Sequence, residues 1–151
     1  MKYWIKNIFI ITFCLLAWSC KNDSKTESGT QTNKNMQAKT VKKGKSLFQK
    51  NCATCHNINL RDKLTASPLG NITMFRDSIY LINVTKNFIK LVADGDKIAT
   101  CQFIKYNKCV MTTFEGRLED KEIVEIYRFI TEESKRLKIT NEEMKETYEC
   151  N

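Results

Sequence analysis

Two thiols and an imidazole stand together in Cys52-Ala53-Thr54-Cys55-His56. In an exported chain the spacing C-x-x-C-H marks covalent haem attachment. Thiols a helical turn apart can add across the two vinyl groups of one haem, and the adjacent His can then bind iron from one face. Two other chemistries use paired cysteines. A thioredoxin-like redox pair needs a strand leading into the first Cys, whereas the residues before Cys52 have helical spacing. A zinc site needs four ligands, usually as two separated pairs, and here Cys101 and Cys109 would have to complete it. The motif is therefore read as the site of one haem c, bound through Cys52 and Cys55, with His56 as the proximal axial ligand. His56 is the only His of the chain, which excludes two His ligands from one chain.

Export is read from the amino terminus. Lys2 and Lys6 precede an apolar run from Ile8 to Trp18, broken by Thr12. The run is too short to span a bilayer and has signal-peptide length. Residues 1–19 are assigned to this signal. Leu16-Ala17-Trp18-Ser19-Cys20 resembles a bacterial lipoprotein signal, although Trp18 departs from the tightest form. That resemblance implies that Cys20 is lipidated and becomes the mature N-terminus. Residues 20–39 hold no Val, Ile, Leu or aromatic residue. They read as a flexible polar tether, with a mean reach of roughly 25 Å. A lipid anchor would place the protein on a membrane, facing the periplasm of a Gram-negative bacterium, where disulfides persist.

The composition sets outer bounds. At 151 residues one domain is expected, and 42% hydrophobic residues excludes a wholly disordered chain and a multi-span membrane protein. Net charge is +3 over residues 1–38, +9 over 39–108 and −4 over 109–151. Such asymmetry suggests an electrostatic docking face.

Amphipathic helices are expected on both sides of the motif. Thr40 can cap a helix over 41–53, with Val41, Gly44, Phe48 and Cys52 on one face. Beyond Leu118 an acidic turn of Glu119, Asp120 and Glu122 opens a second helix. Its stripe is Ile123, Ile126, Tyr127 and Ile130, and Lys135, Arg136 and Lys138 close it. With these helices the chain resembles class I cytochrome c, an all-α fold whose first and last helices pack together around one covalently attached haem. The resemblance implies a cytochrome domain over 40–138, followed by a polar tail over 139–151. It also implies that Gly44 and Phe48 meet Tyr127 where the two helices cross.

The family places a Met before its last helix. Met111-Thr112-Thr113-Phe114 matches that place and implies Met111 as the distal axial ligand, a thioether that raises the reduction potential. Met36 lies in the tether and Met144 in the tail. Met74 is the competitor, its other reading being core packing. Pro68-Leu69-Gly70 resembles the segment in which a Pro carbonyl orients the proximal His, although Ser67 stands where the family has Gly. The bland reading of Pro68 is a turn residue.

The stretch between His56 and Met111 supplies pocket walls. Asp77 and Thr85 can cap two short helices, Asp94-Gly95 can end the second, and a third turn spans Ile98 to Tyr106. Arg76, Tyr80 and Tyr106 are candidates for polar contacts to the cofactor. Cys101 and Cys109 can form a disulfide that clamps the Met loop, with a gain of ~2–3 kcal/mol. Cys150 would then be left over, free to pair with another molecule.

Iron held by His and Met has no open position. The expected function is single-electron transfer between membrane-associated respiratory redox partners, by a non-enzymatic monomer. Lys39, Lys42, Lys43, Lys45, Lys50, Arg61 and Lys63 would meet acidic docking faces. No nucleic acid partner is expected. The alternative is a haem enzyme or a gas or redox sensor with a labile sixth ligand.

Overall fold

A computed structural model describes the backbone of residues 28–150 and the side chains of residues 35–150. The chain divides into two units at Thr32 and Asn33, and the fold described below is that of the second. The expectations for the signal, for Cys20 and for residues 21–27 lie outside the described residues.

Among the described residues there are helices and no strands, as the all-α reading requires. In chain order they are α1 (Ser28–Asn51), α2 (Ile72–Phe75), α3 (Ser78–Ala93), α4 (Lys97–Lys105), α5 (Asp120–Arg136) and α6 (Asn141–Tyr148). Thr40 does not start α1. Its hydroxyl donates to Met36 O at 2.9 Å, one turn back inside a helix already under way. The flexible tether expected over 20–39 is corrected from Ser28 onward, where α1 begins: no Gly or Pro interrupts residues 30–43, so nothing in the backbone stops the helix from extending into the polar stretch.

α1 and α5 meet where Gly44 lies against the backbone of Glu125. A Cβ at position 44 would sit 2.0 Å from Glu125 O, so only Gly permits this approach. The aromatic partner differs from the expected one. Phe48 packs on Phe129, with ring centroids 5.5 Å apart, and both are buried. Tyr127 points elsewhere, its hydroxyl sharing a 2.8 Å hydrogen bond with Thr85. Ile123, Ile126 and Ile130 fill the core as the stripe predicted. Glu119 and Glu122 open α5, with Glu119 N–H donating to the Glu122 carboxylate.

Asp77 caps α3 as expected, accepting from Tyr80 N–H. Thr85 caps nothing. It is buried within α3 and donates to Leu81 O. The break comes two residues later, where Asn87 leaves helical geometry and its side chain accepts from Lys90 N–H. Gly95 ends this stretch at φ 81°, and Asp96 caps α4 through Ala99 N–H.

Two expectations for the last residues are corrected. The polar tail is a helix, and it belongs to the core, because Met144 and Tyr148 are buried there with Ile139. The disulfide joins Cys101 to Cys150, not to Cys109, with Cα atoms 5.9 Å apart. Cys101 sits on α4, and Gln102 and Lys105 of that helix donate to the carbonyls of Thr147, Glu146 and Glu149. This packing brings the end of the chain to Cys101, while Cys109 keeps a free thiol. Closing a loop with 49 residues of separation stabilises by about 4 kcal/mol in the chain-entropy account.

Candidate functional site

The end of α1 delivers the motif. Cys52 N–H and Ala53 N–H both donate to Phe48 O, and His56 N–H donates to Cys52 O, so helical turns continue through the two cysteines. Cys52 and Cys55 carry free thiols and line a cavity of about 1190 Å³, part of it open to solvent. Its walls are chiefly apolar, with Leu69, Ile72, Leu81, Phe88, Ile98, Phe114, Ile126 and Ile130 among them. His56 and Met111 line the same cavity. Paired thiols, an imidazole and a thioether around one apolar cavity are a donor set that fits haem c.

The thiols are not arranged for redox exchange. Burial, and then the neighbouring Cys55, push the Cys52 thiol up to about 12. A reactive cysteine needs the opposite shift, and among the described residues a helix, not a strand, leads into the pair. No group of three metal-binding side chains forms a zinc site among the described residues.

His56 is buried, and its Nδ1 lies 2.7 Å from Ser67 O. A carbonyl can only accept, so Nδ1 carries the proton and Nε2 keeps the lone pair that a metal needs. Burial holds the His56 pKa below its usual value, with the Ser67 bond acting in the opposite sense. The orienting carbonyl is thus Ser67, one residue before Pro68. A residue preceding Pro is steered out of helical geometry, which suits Ser67 to turn its carbonyl onto the ring. The Pro68 carbonyl accepts from Tyr148 instead.

Met111 is separated from its competitors by burial and place. Met36 is 60% exposed on α1, Met74 is 66% exposed on α2 and Met144 is 2% exposed in the core. Of the four, Met111 lines the cavity. Its loop is held at Phe114 and Glu115, whose N–H groups both donate to Lys86 O at 2.9 and 3.1 Å. Asn87 makes this possible. By leaving the helix it releases the preceding carbonyl, and its side chain donates to Glu115.

Arg76, Tyr80 and Tyr106 also line the cavity. The Arg76 guanidinium donates to Phe75 O and Tyr148 O, both at 2.7 Å. Burial, and then Asp96, raise the Tyr80 pKa, so its phenol stays neutral. Cys109 and Gln102 are further lining residues that sequence spacing did not indicate. Among the basic residues near the motif, Lys43 pairs with Glu125 and Arg61 with Glu143. These two serve the fold, whereas Lys39, Lys42, Lys45 and Lys50 are exposed along α1.

Comparison with known proteins points the same way. Residues 39–130 match the family described as cytochrome C oxidase, cbb3-type, subunit III. Cytochrome c6 of Diacronema lutheri is 29% identical over 90 residues, which cover 60% of this chain and 92% of that protein. No solved structure matches the chain. The matched stretch holds both thiols, His56 and most of the cavity wall. The chain therefore belongs to this family of class I c-type cytochromes, all-α electron-transfer proteins with one covalently attached haem c.

Proposed function

We propose that the protein is a tethered monohaem carrier that passes single electrons between membrane-associated respiratory proteins. In this reading Cys52 and Cys55 hold the haem, His56 is its proximal ligand and Met111 its distal ligand. When bound, the haem supplies a one-electron couple. The chain's own residues do the rest. Ser67 keeps the proton on His56 Nδ1, the apolar wall excludes water, and Phe114 holds the loop that carries Met111. The observation that carries the reading is Met111 on the wall of the cavity that His56 and both thiols share. Two strong ligands leave no position for a substrate, which favours electron transfer over catalysis or gas sensing.

The remaining parts of the reading concern place and partner. No helix among the described residues is long and apolar enough to cross a membrane. In this reading attachment comes through lipidated Cys20, on the periplasmic side, as the lipoprotein-like Leu16-Ala17-Trp18-Ser19-Cys20 suggests. The exposed lysines of α1 suit partners with acidic docking faces, reached faster at low salt. Absorption spectra of the haem-loaded mature chain test the ligands. A ferric Met–iron charge-transfer band, a low-spin reduced spectrum and no response to carbon monoxide are expected. Carbon monoxide binding to the reduced protein would overturn Met111 ligation and turn the reading to a haem enzyme or gas sensor.

A further inference from the structure

The family match ends at Ile130, yet the residues beyond it reach back to the proximal side of the cavity. Tyr148, at the end of α6, is 4% exposed and lines that cavity. Its hydroxyl lies 3.1 Å from Pro68 O and 2.9 Å from Gly70 O. A phenol has one proton to donate, shared here between two carbonyls of the segment whose Ser67 carbonyl holds His56. Tyr148 is itself fixed from three sides. Its ring packs on Phe75 at 4.8 Å, its carbonyl accepts from Arg76, and two residues later Cys150 is bonded to Cys101. Phe in its place would keep the ring packing but leave both carbonyls without this donor.

We propose that Tyr148 is a positioning residue for His56. Through Pro68 and Gly70 it fixes the Ser67 carbonyl against the imidazole, and the Cys101–Cys150 bond fixes Tyr148. This rests on His56 being the iron ligand. A firm Nδ1–H···O bond makes the imidazole more basic and favours ferric iron. Loosening it raises the midpoint potential and lets the Nδ1 proton exchange faster with solvent.

The test uses the haem-loaded protein, with the His56 Nδ1–H followed by NMR and the midpoint potential measured beside it. Tyr148→Phe keeps the ring and removes the hydroxyl. Its Nδ1 proton should exchange about threefold to tenfold faster, the value of one net hydrogen bond, and its potential should rise. Cys150→Ser keeps the hydroxyl but frees its tether, so both readings should move the same way by less. Should Tyr148→Phe fail to fold, Cys150→Ser decides on the same two readings. Lower thermal stability with unchanged exchange and potential would overturn the proposal, because that is what a merely structural role gives. If the unmodified protein shows no iron-shifted His Nδ1–H resonance, the ligand assignment itself falls and the Tyr148 role falls with it.

Discussion

The two sides of the cavity are built differently. On the His56 side, Ala66 N–H donates to Cys55 O and Gly70 N–H to Leu60 O, so the segment folds back on the motif. Leu60 sits at φ 61° with no exposed surface. A left-handed backbone costs a non-glycine residue roughly 1–2 kcal/mol, while burying a leucine contributes about 1.5–3 kcal/mol. Burial wins, and the strained turn persists. On the Met111 side, Asn107 and Lys108 also have positive φ, but both are exposed, as are Val110, Thr112 and Thr113. That loop leans on Phe114 and Glu115 at the Lys86 carbonyl. A segment with so few buried contacts opens at lower free energy than the core. His56 is therefore held by the whole fold, and Met111 by one buried anchor.

The sharpest way to break this contrast is Phe114→Ala. Phe114 is 4% exposed, so truncation should cost about 3–5 kcal/mol of global stability. The distinctive outcome is local. In a denaturant series the Met–iron band should disappear well before the helices unfold, and carbon monoxide should begin to bind the reduced protein. Coincident loss of the band and of helix would show that the Met111 loop is no weaker than the rest.

Gly70→Ala makes the matching change on the proximal side, with a smaller effect. An added Cβ would meet Ile139 and Leu60 O at 3.0 Å. Crowding of this kind costs about 1–3 kcal/mol. Here the Met–iron band should persist until global unfolding, because the strain falls on a segment tied into the core. Early loss of the band in Gly70→Ala would remove the distinction between the two sides.

The same division explains what the sequence made legible. The Cys52–His56 motif, the Asp77 cap, the acidic start of α5 and the place of Met111 are all local patterns, fixed by residue type and short spacing. The missed features depend on contacts between distant segments. Tyr148 touches Pro68 across 80 positions, and Cys101 pairs with Cys150 across 49. The nearer Cys109 made the wrong disulfide look natural, since spacing carries no information on which way α4 faces. Pro68 marked the right turn but the wrong carbonyl, because a Pro constrains the residue before it. Tyr127 and Phe129 lie two residues apart on α5, and which of them meets Phe48 depends on how the two helices cross.

The smallest expected effect concerns the outer attachment of α6. Arg61 donates to the Glu143 carboxylate and to the carbonyls of Leu137 and Lys138. The hydrogen bond from Arg61, then the one from Thr140 N–H, hold the Glu143 pKa below its usual 4.5. A carboxylate with a lowered folded pKa adds stability above its unfolded value and loses it as pH falls through the folded one. Glu143→Gln keeps an acceptor for Thr140 N–H and removes the charge. Its melting temperature should lie slightly below that of the unmodified protein at neutral pH, as befits an exposed pair. The gap should close as pH drops below about 4.5, where the unmodified Glu143 also becomes neutral. A gap that stays constant into acid would mean that the contribution is packing and not charge. His56 Nδ1–H exchange should not change in this variant, since the attachment of α6 through Tyr148 and Cys150 remains intact.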